Sequence, residues 1–131
     1  ELVDGLERDL ALRIVLRDDA ADVALADEVV ARVCRGVREL LCNVARHAGV
    51  DEARVCVTST ASALAVAVED DGRGMDTGRG VQRGIGLRNL EEQLARVGGE
   101  MRVTARPGRG SRVELRVPLR DELAGASRDD P

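Results

Sequence analysis

The apolar residues of this chain change period along its length, and each change marks an element that must bury one face. Between residues 25 and 48 the step is helical. Val29, Val33, Val37, Leu40, Leu41 and Val44 recur every three or four positions and make one apolar stripe. Gly49 supplies a stop. Residues 11–18 alternate in their second half and read as a strand. Residues 53–60 and 62–69 are β-branched, alternating runs, and the short Ala61-Ser62 link between them predicts a hairpin. Residues 86–97 are helical again and end at Gly98-Gly99. Residues 100–106 and 111–118 are strands joined by the turn sequence Pro107-Gly108-Arg109-Gly110. Helices and antiparallel strands in mixed order pack as a two-layer α/β sandwich, its sheet buried on one face under the helices and more polar on the other.

The chain has 131 residues, the size of one domain with one core. Residues 11–119 carry the patterned elements and are read as that domain. Residues 1–10 read as the tail of an upstream linker, and the polar residues 120–131 as a disordered C-terminal tail. The stretch from Asp70 to Gly84 holds five of the fourteen glycines, has no hydrophobic period and reads as a mobile loop. No apolar run is long enough to cross a bilayer and no secretory signal opens the chain. The start at Glu1 rather than at a methionine reads as a piece of something longer.

Absences narrow the chemistry. There is no Phe, Tyr or Trp, so the core must be aliphatic and no platform exists for stacking single-stranded bases. All 20 basic side chains are Arg, which rules out a Walker-type phosphate loop and Schiff-base chemistry, since both need Lys. A net charge of −4 with interspersed signs lacks the basic stripe of a duplex binder, so no nucleic-acid partner is expected. The three cysteines, Cys34, Cys42 and Cys56, have no paired spacing, and with a single His they offer neither a disulfide framework nor a zinc set. They read as reduced thiols of a cytoplasmic domain.

Four clusters can carry chemistry. Glu39, Asn43 and His47 lie at steps of four and share a helical face off the apolar stripe. A solvated helix edge would account for any one of them, but Asn is a poor mid-helix residue and its placement points to a use for its amide. The run Glu69-Asp70-Asp71-Gly72-Arg73-Gly74 ends a strand in a carboxylate followed by glycines. An acid there can meet amine donors while the backbone closes on the same ligand. A dinucleotide-binding turn would have to open straight into a helix, and here about fifteen loop residues intervene. Gly84-Ile85-Gly86-Leu87 opens a helix whose free N–H groups form an anion site, with Arg79, Arg83 and Arg88 near enough to pair with phosphate. Gly108-Arg109-Gly110-Ser111 is, alone, a hairpin turn.

In order and spacing these clusters resemble the ATP-binding catalytic domain of bacterial two-component sensor histidine kinases. The run from Glu39 to Ala48 (ELLCNVARHA) resembles the N box, Asp70-Asp71-Gly72-Arg73-Gly74 the first glycine box, and Gly84-Ile85-Gly86-Leu87-Arg88-Asn89-Leu90 the second. The match extends over roughly residues 11–119. It is nearest to the subgroup that pairs with helix-turn-helix response regulators, marked by the Arg-His-Ala ending of the N box and a short lid. The resemblance implies the Bergerat fold shared with gyrase, Hsp90 and MutL, an α/β sandwich with a mixed, mostly antiparallel sheet. It implies ATP and Mg²⁺ as ligands. Asp70 would accept from the adenine amine with Ser111 in support. Gly72 and Gly74 would close on the base, and Asn43 would hold Mg²⁺. Gly84, Gly86 and Leu87, with Arg83, would present the phosphate cradle, and residues 75–83 would be the lid. His47 would lie beside the phosphates, and Glu39 would orient or deprotonate the nucleophile.

The phospho-acceptor His would belong to a helical dimerisation domain outside this sequence, and the response regulator would be an indirect partner. The fragment alone would be a monomer and a cytoplasmic domain, whether or not the whole protein is anchored in a membrane. The runner-up is an anti-sigma factor serine kinase of the same fold. A gyrase- or MutL-type ATPase would need a Lys from a further domain, and a partner-binding pseudo-enzyme would have no use for the full set of polar residues.

Overall fold

The computed structural model of the chain describes residues 2–21, 25–48, 50–72, 85–106 and 110–119. Among them five strands form one sheet: β1 (Arg13–Asp18), β2 (Glu52–Ser59), β3 (Ala63–Asp70), β4 (Glu100–Arg106) and β5 (Gly110–Pro118). Across the sheet the order is β1-β2-β3-β5-β4. β1 pairs with β2 in parallel and every other pair is antiparallel, the mixed and mostly antiparallel sheet expected. A parallel pair needs a crossover, and α2 (Asp27–Asn43) supplies it. α1 (Leu2–Leu10) precedes the sheet and α3 (Ile85–Ala95) leads into β4.

One set of alternating strand positions makes the core. Val55, Leu64, Val66, Val68, Val113, Leu115, Val117 and Met101 pack with Val33, Leu40 and Leu41 of α2 and with Leu87, Leu90 and Leu94 of α3. Every side chain in this cluster is aliphatic or Met, as a chain without aromatics requires. At Gly36, a Cβ would lie 2.6 Å from a methyl of Leu90, so the missing side chain lets α3 press against α2. The opposite positions carry charge. Arg54, Glu69, Arg112 and Glu114 form a run of ion pairs across β2, β3 and β5 on the face away from the helices.

Local chemistry sets the joints. In the β2–β3 turn the Thr60 N–H donates to the Ala63 carbonyl at 2.9 Å, and the Thr60 hydroxyl accepts from Ala63 N–H at 3.1 Å. α3 ends as its Gly98-Gly99 pair predicts. Gly98 takes φ 77°, its N–H reaches the Ala95 carbonyl, and Gly99 N–H reaches the Leu94 carbonyl at 2.7 Å. These are the two bonds of a Schellman cap.

Three features depart from the sequence pattern. Residues 2–10, read as a linker tail, form a helix whose Leu6 is buried in the core. It is tied to β1 through Glu7, whose carbonyl accepts from Leu12 N–H and whose carboxylate accepts from Ile14 N–H at 2.8 Å. Only Ile14 of β1 is buried, and Val15 and Leu16 are 42% and 47% exposed, because β1 is an edge strand. The long helix is regular only to Asn43 and then widens into a π-helical turn, Val44–Ala48. Such turns leave the apolar period almost unchanged over so short a span, so periodicity does not reveal them.

Two glycines should respond to alanine in opposite directions. At Gly5, within α1, a Cβ meets nothing within 4 Å, so Gly5→Ala should raise unfolding free energy by about 0.5–1 kcal/mol. Gly98→Ala, at positive φ, should lower it by about 1–2 kcal/mol. Urea denaturation of the two variants checks both signs.

Candidate functional site

β3 ends in Asp70, the one buried charged side chain among the described residues, 3% exposed. It has the same parity as Leu64, Val66 and Val68 and so faces the helical layer. Two contacts hold it. Its Oδ1 accepts from Gly72 N–H at 2.8 Å, which turns the chain out of the strand, and its Oδ2 accepts from the Ser111 hydroxyl at 3.0 Å. Ser111 is its register partner on β5. A carboxylate has about four acceptor positions, so each oxygen keeps capacity for a donor from outside the protein.

The start of β5 is shaped to this carboxylate's backbone. Gly110 has φ 97°, and a Cβ there would fall 1.8 Å from the Asp70 carbonyl oxygen. Only glycine lets the two strand ends approach. The sequence marks Gly110 as a turn residue, but not that it clears space for Asp70 across the sheet.

α2 packs on β3 and β5 through Leu40 and Leu41 and carries the second group. Glu39 and Asn43 are one turn apart, as their spacing predicts. Arg46 stands between them. Its Nη2 donates to Asn43 Oδ1 at 3.4 Å and lies 3.8 Å from Glu39 Oε2. A carboxylate oxygen and an amide oxygen therefore converge on one cationic group. Of the two, the Asn43 amide oxygen is the uncharged hard-oxygen donor, a type that Mg²⁺ takes. Among the described residues no group of three or more His, Cys, Asp or Glu forms a metal cage. Sequence reading passed over Arg46, which the N-box resemblance includes without a role.

The remaining site residues divide. Gly72 is the hydrogen-bond donor just described. His47 lies in the π-helical turn after Asn43, and Gly86 in the first turn of α3. Leu87 is buried in the core, so its side chain anchors the start of α3. Gly74, Arg83 and Gly84, with the expected lid 75–83, lie outside the described residues, as do the turn residues 107–109 and the tail 120–131. A groove of about 210 Å³ opens between α2 and α3, walled by Arg32, Arg35, Glu39, Asn89 and Gln93. It reaches Glu39 but neither Asn43 nor Asp70, so it flanks the carboxylate site rather than being it.

Behind Asp70, on the charged face, Asp71 makes a two-pronged ion pair with Arg54, at 2.9 and 3.0 Å. The hydrogen bonds that Arg54 donates to Asp71, together with the charges of Asp71 and Glu69, push its guanidinium above its ordinary value. Spacing alone did not single out Arg54.

Residues 28–121 match the family model described as histidine kinase-, DNA gyrase B- and HSP90-like ATPase. The sensor histidine kinase LiaS of Bacillus subtilis is 30% identical over 112 residues, 86% of this chain and 31% of LiaS. The sensor protein VraS of Staphylococcus haemolyticus is 22% identical over 122 residues, 93% of this chain and 34% of VraS. The chain thus spans about a third of the length of these curated relatives. Among solved structures, the histidine kinase domain of a blue-light activated histidine kinase from Erythrobacter litoralis superposes with a TM-score of 0.67 at 28% identity, covering 89% of this chain and 57% of that one. A longer chain of the same kinase gives 0.71 at 27%, covering 90% and 39%.

Gly110→Ala should lower stability by about 1–3 kcal/mol, through a non-glycine residue at positive φ, and should weaken ligand binding at Asp70 because the β3 and β5 ends must separate. Thermal unfolding with and without nucleotide checks both effects.

Proposed function

We infer the function of this chain from its kinship: it belongs to the family of histidine kinase-, DNA gyrase B- and HSP90-like ATPases, and binds ATP as they do. It is the catalytic domain of a sensor histidine kinase, and it passes the γ-phosphoryl group of ATP to a His on a helical dimerisation domain of the same protein. The observation that carries this reading is the buried Asp70 carboxylate, held by Ser111 and Gly72 with acceptor capacity to spare. The likeness to LiaS and VraS, both named as sensors, favours it over the anti-sigma serine kinase alternative.

Each residue then has a task. Asp70 accepts from the exocyclic amine of adenine, and the Ser111 hydroxyl fixes the carboxylate's orientation. Gly72 and Gly74 let the backbone close on the ring. Asn43 Oδ1 is the protein's ligand to Mg²⁺, which when bound neutralises phosphate charge. The N–H groups at Gly84 and Gly86, together with Arg83, hold the phosphates at the start of α3. His47 lies beside them. Glu39, one turn from Asn43 and open to solvent along the α2–α3 groove, orients the incoming imidazole or takes its proton. Phosphoryl transfer is largely a matter of position and charge, and a neutral imidazole is already a nucleophile, so a strong base is not demanded. The acceptor domain and the response regulator are the partners this chemistry requires.

One titration series tests the assignment. ATP affinity is measured with and without Mg²⁺ for the chain, for Asp70→Asn and for Asn43→Ala. Asp70→Asn loses a charge-assisted hydrogen bond of about 1.5–3 kcal/mol and should weaken binding roughly tenfold or more under both conditions. Asn43→Ala should remove only the increment that Mg²⁺ adds. Unchanged affinity in Asp70→Asn contradicts the adenine role; an unchanged Mg²⁺ increment in Asn43→Ala contradicts the metal role.

A further inference from the structure

Asp70 faces the helices, but the residues on either side of it face the other way and are both held there. Arg54, on β2, sits opposite Glu69 in the strand register. Its Nη1 and Nη2 donate to the two carboxylate oxygens of Asp71 at 2.9 and 3.0 Å, and its Nε donates to Glu69 Oε1 at 3.4 Å. The other oxygen of Glu69 accepts from Arg112 Nε on β5 at 2.9 Å. One guanidinium therefore spans residues 69 and 71, the two neighbours of the carboxylate that reads the base.

Magnitudes separate two meanings of this contact. The Arg54 side chain is 32% exposed and that of Asp71 is 70% exposed, so as a contribution to stability the pair is a screened surface bridge worth little. As a geometric restraint it is stronger. A bidentate guanidinium–carboxylate pair fixes the plane of both groups. Here that plane is anchored to β2 by Arg54 and to β3 by Glu69. Asp71 is the first residue past the strand, where ladder hydrogen bonds no longer set the backbone. We propose that Arg54 is a positioning residue for the nucleotide site: by clamping Asp71 against Glu69 from behind, it fixes the rotation of the Asp70–Asp71 peptide and so the direction in which the Asp70 carboxylate offers its free acceptor positions to the adenine amine. Lysine could not replace it, because a single ammonium cannot grip both oxygens of Asp71 while holding Glu69.

The proposal rests on the adenine role of Asp70, and its test keeps the two apart. ADP dissociation constants are measured for the chain, Arg54→Gln, Asp70→Asn and the double variant, each below its melting transition, with inorganic tripolyphosphate as a competitor that has no base. Arg54→Gln should weaken ADP roughly five- to tenfold, part of what one charge-assisted hydrogen bond is worth. Tripolyphosphate should be held as before within about twofold. In the Asp70→Asn background the Arg54 change should add less than about twofold, because the two act through one contact. Arg54→Lys should stay closer to Arg54→Gln than to the unaltered chain. Asp71→Asn, altering the exposed end of the clamp, should reproduce the ADP loss even if Arg54→Gln fails to fold. If Asp70→Asn weakens ADP while Arg54→Gln and Asp71→Asn do not, the positioning role is overturned and the adenine role stands. An Arg54 loss that recurs undiminished beside Asp70→Asn, or that falls equally on tripolyphosphate, also overturns it. If Asp70→Asn leaves ADP affinity unchanged, the adenine role fails and the proposal fails with it.

Discussion

A carboxylate buried to 3% exposure would be a liability in most cores, because an ionised group out of water needs partners close by. Asp70 has two, and both come from places where β3 stops being an ordinary strand. Ser111 is the residue opposite in the ladder, and Gly72 is the first amide after the turn. These two bonds decide where the strand ends, which way the chain leaves it and how close β5 can come. The positive φ of Gly110 follows from the same requirement, since β5 must begin against the Asp70 carbonyl. The strand order then places the pair: β3 is the central strand and β5 its neighbour, so the acid and its hydroxyl are carried by two strands paired on both edges.

The sheet uses its two faces differently. On the helical side aliphatic side chains lock α2 and α3 to β3 and β5, and the missing side chain at Gly36 brings the two helices together. Glu39 and Asn43 are carried on α2 by that packing, and both approach Arg46, at 3.8 and 3.4 Å. On the far side, alternating Arg and Glu residues stitch β2, β3 and β5 together at the end where Asp70 sits. The candidate site residues Glu39, Asn43 and Asp70 thus lie on a surface set by apolar burial, and Arg54, the proposed positioning residue, lies on a surface set by charge.

The sequence made most of this architecture readable, for physical reasons that can be named. The stripe from Val29 to Val44 announced α2 because a helix that covers a sheet must bury one face. The alternating runs announced β2 and β5 because each has one more buried side; β3 was legible from its β-branched run, although it buries both sides from Leu64 to Val68. The four-residue step from Glu39 to Asn43, and Asp70 at a strand end before glycines, were visible as local patterns. What was hidden is nonlocal or out of period. α1 is too short and too polar to stand out until its Leu6 meets the sheet. β1 lacks full alternation because an edge strand has less to bury. The π-helical turn is a backbone event that leaves side-chain order intact. Arg46 and Arg54 are two of many arginines, and only folding shows that one bridges Glu39 and Asn43 while the other reaches Asp71, seventeen residues away along the chain.

The aliphatic core has an optical consequence. Tyr and Trp dominate protein absorbance near 280 nm, intrinsic fluorescence and the near-ultraviolet dichroism of packed interiors, and this chain has none of them. Its own spectrum is therefore almost blank at the wavelengths where a purine absorbs. Light taken up near 260 nm by a complex would come from the bound base, so stacking, tilt and release of that base could be followed directly. A single tryptophan introduced anywhere would shine against a dark background.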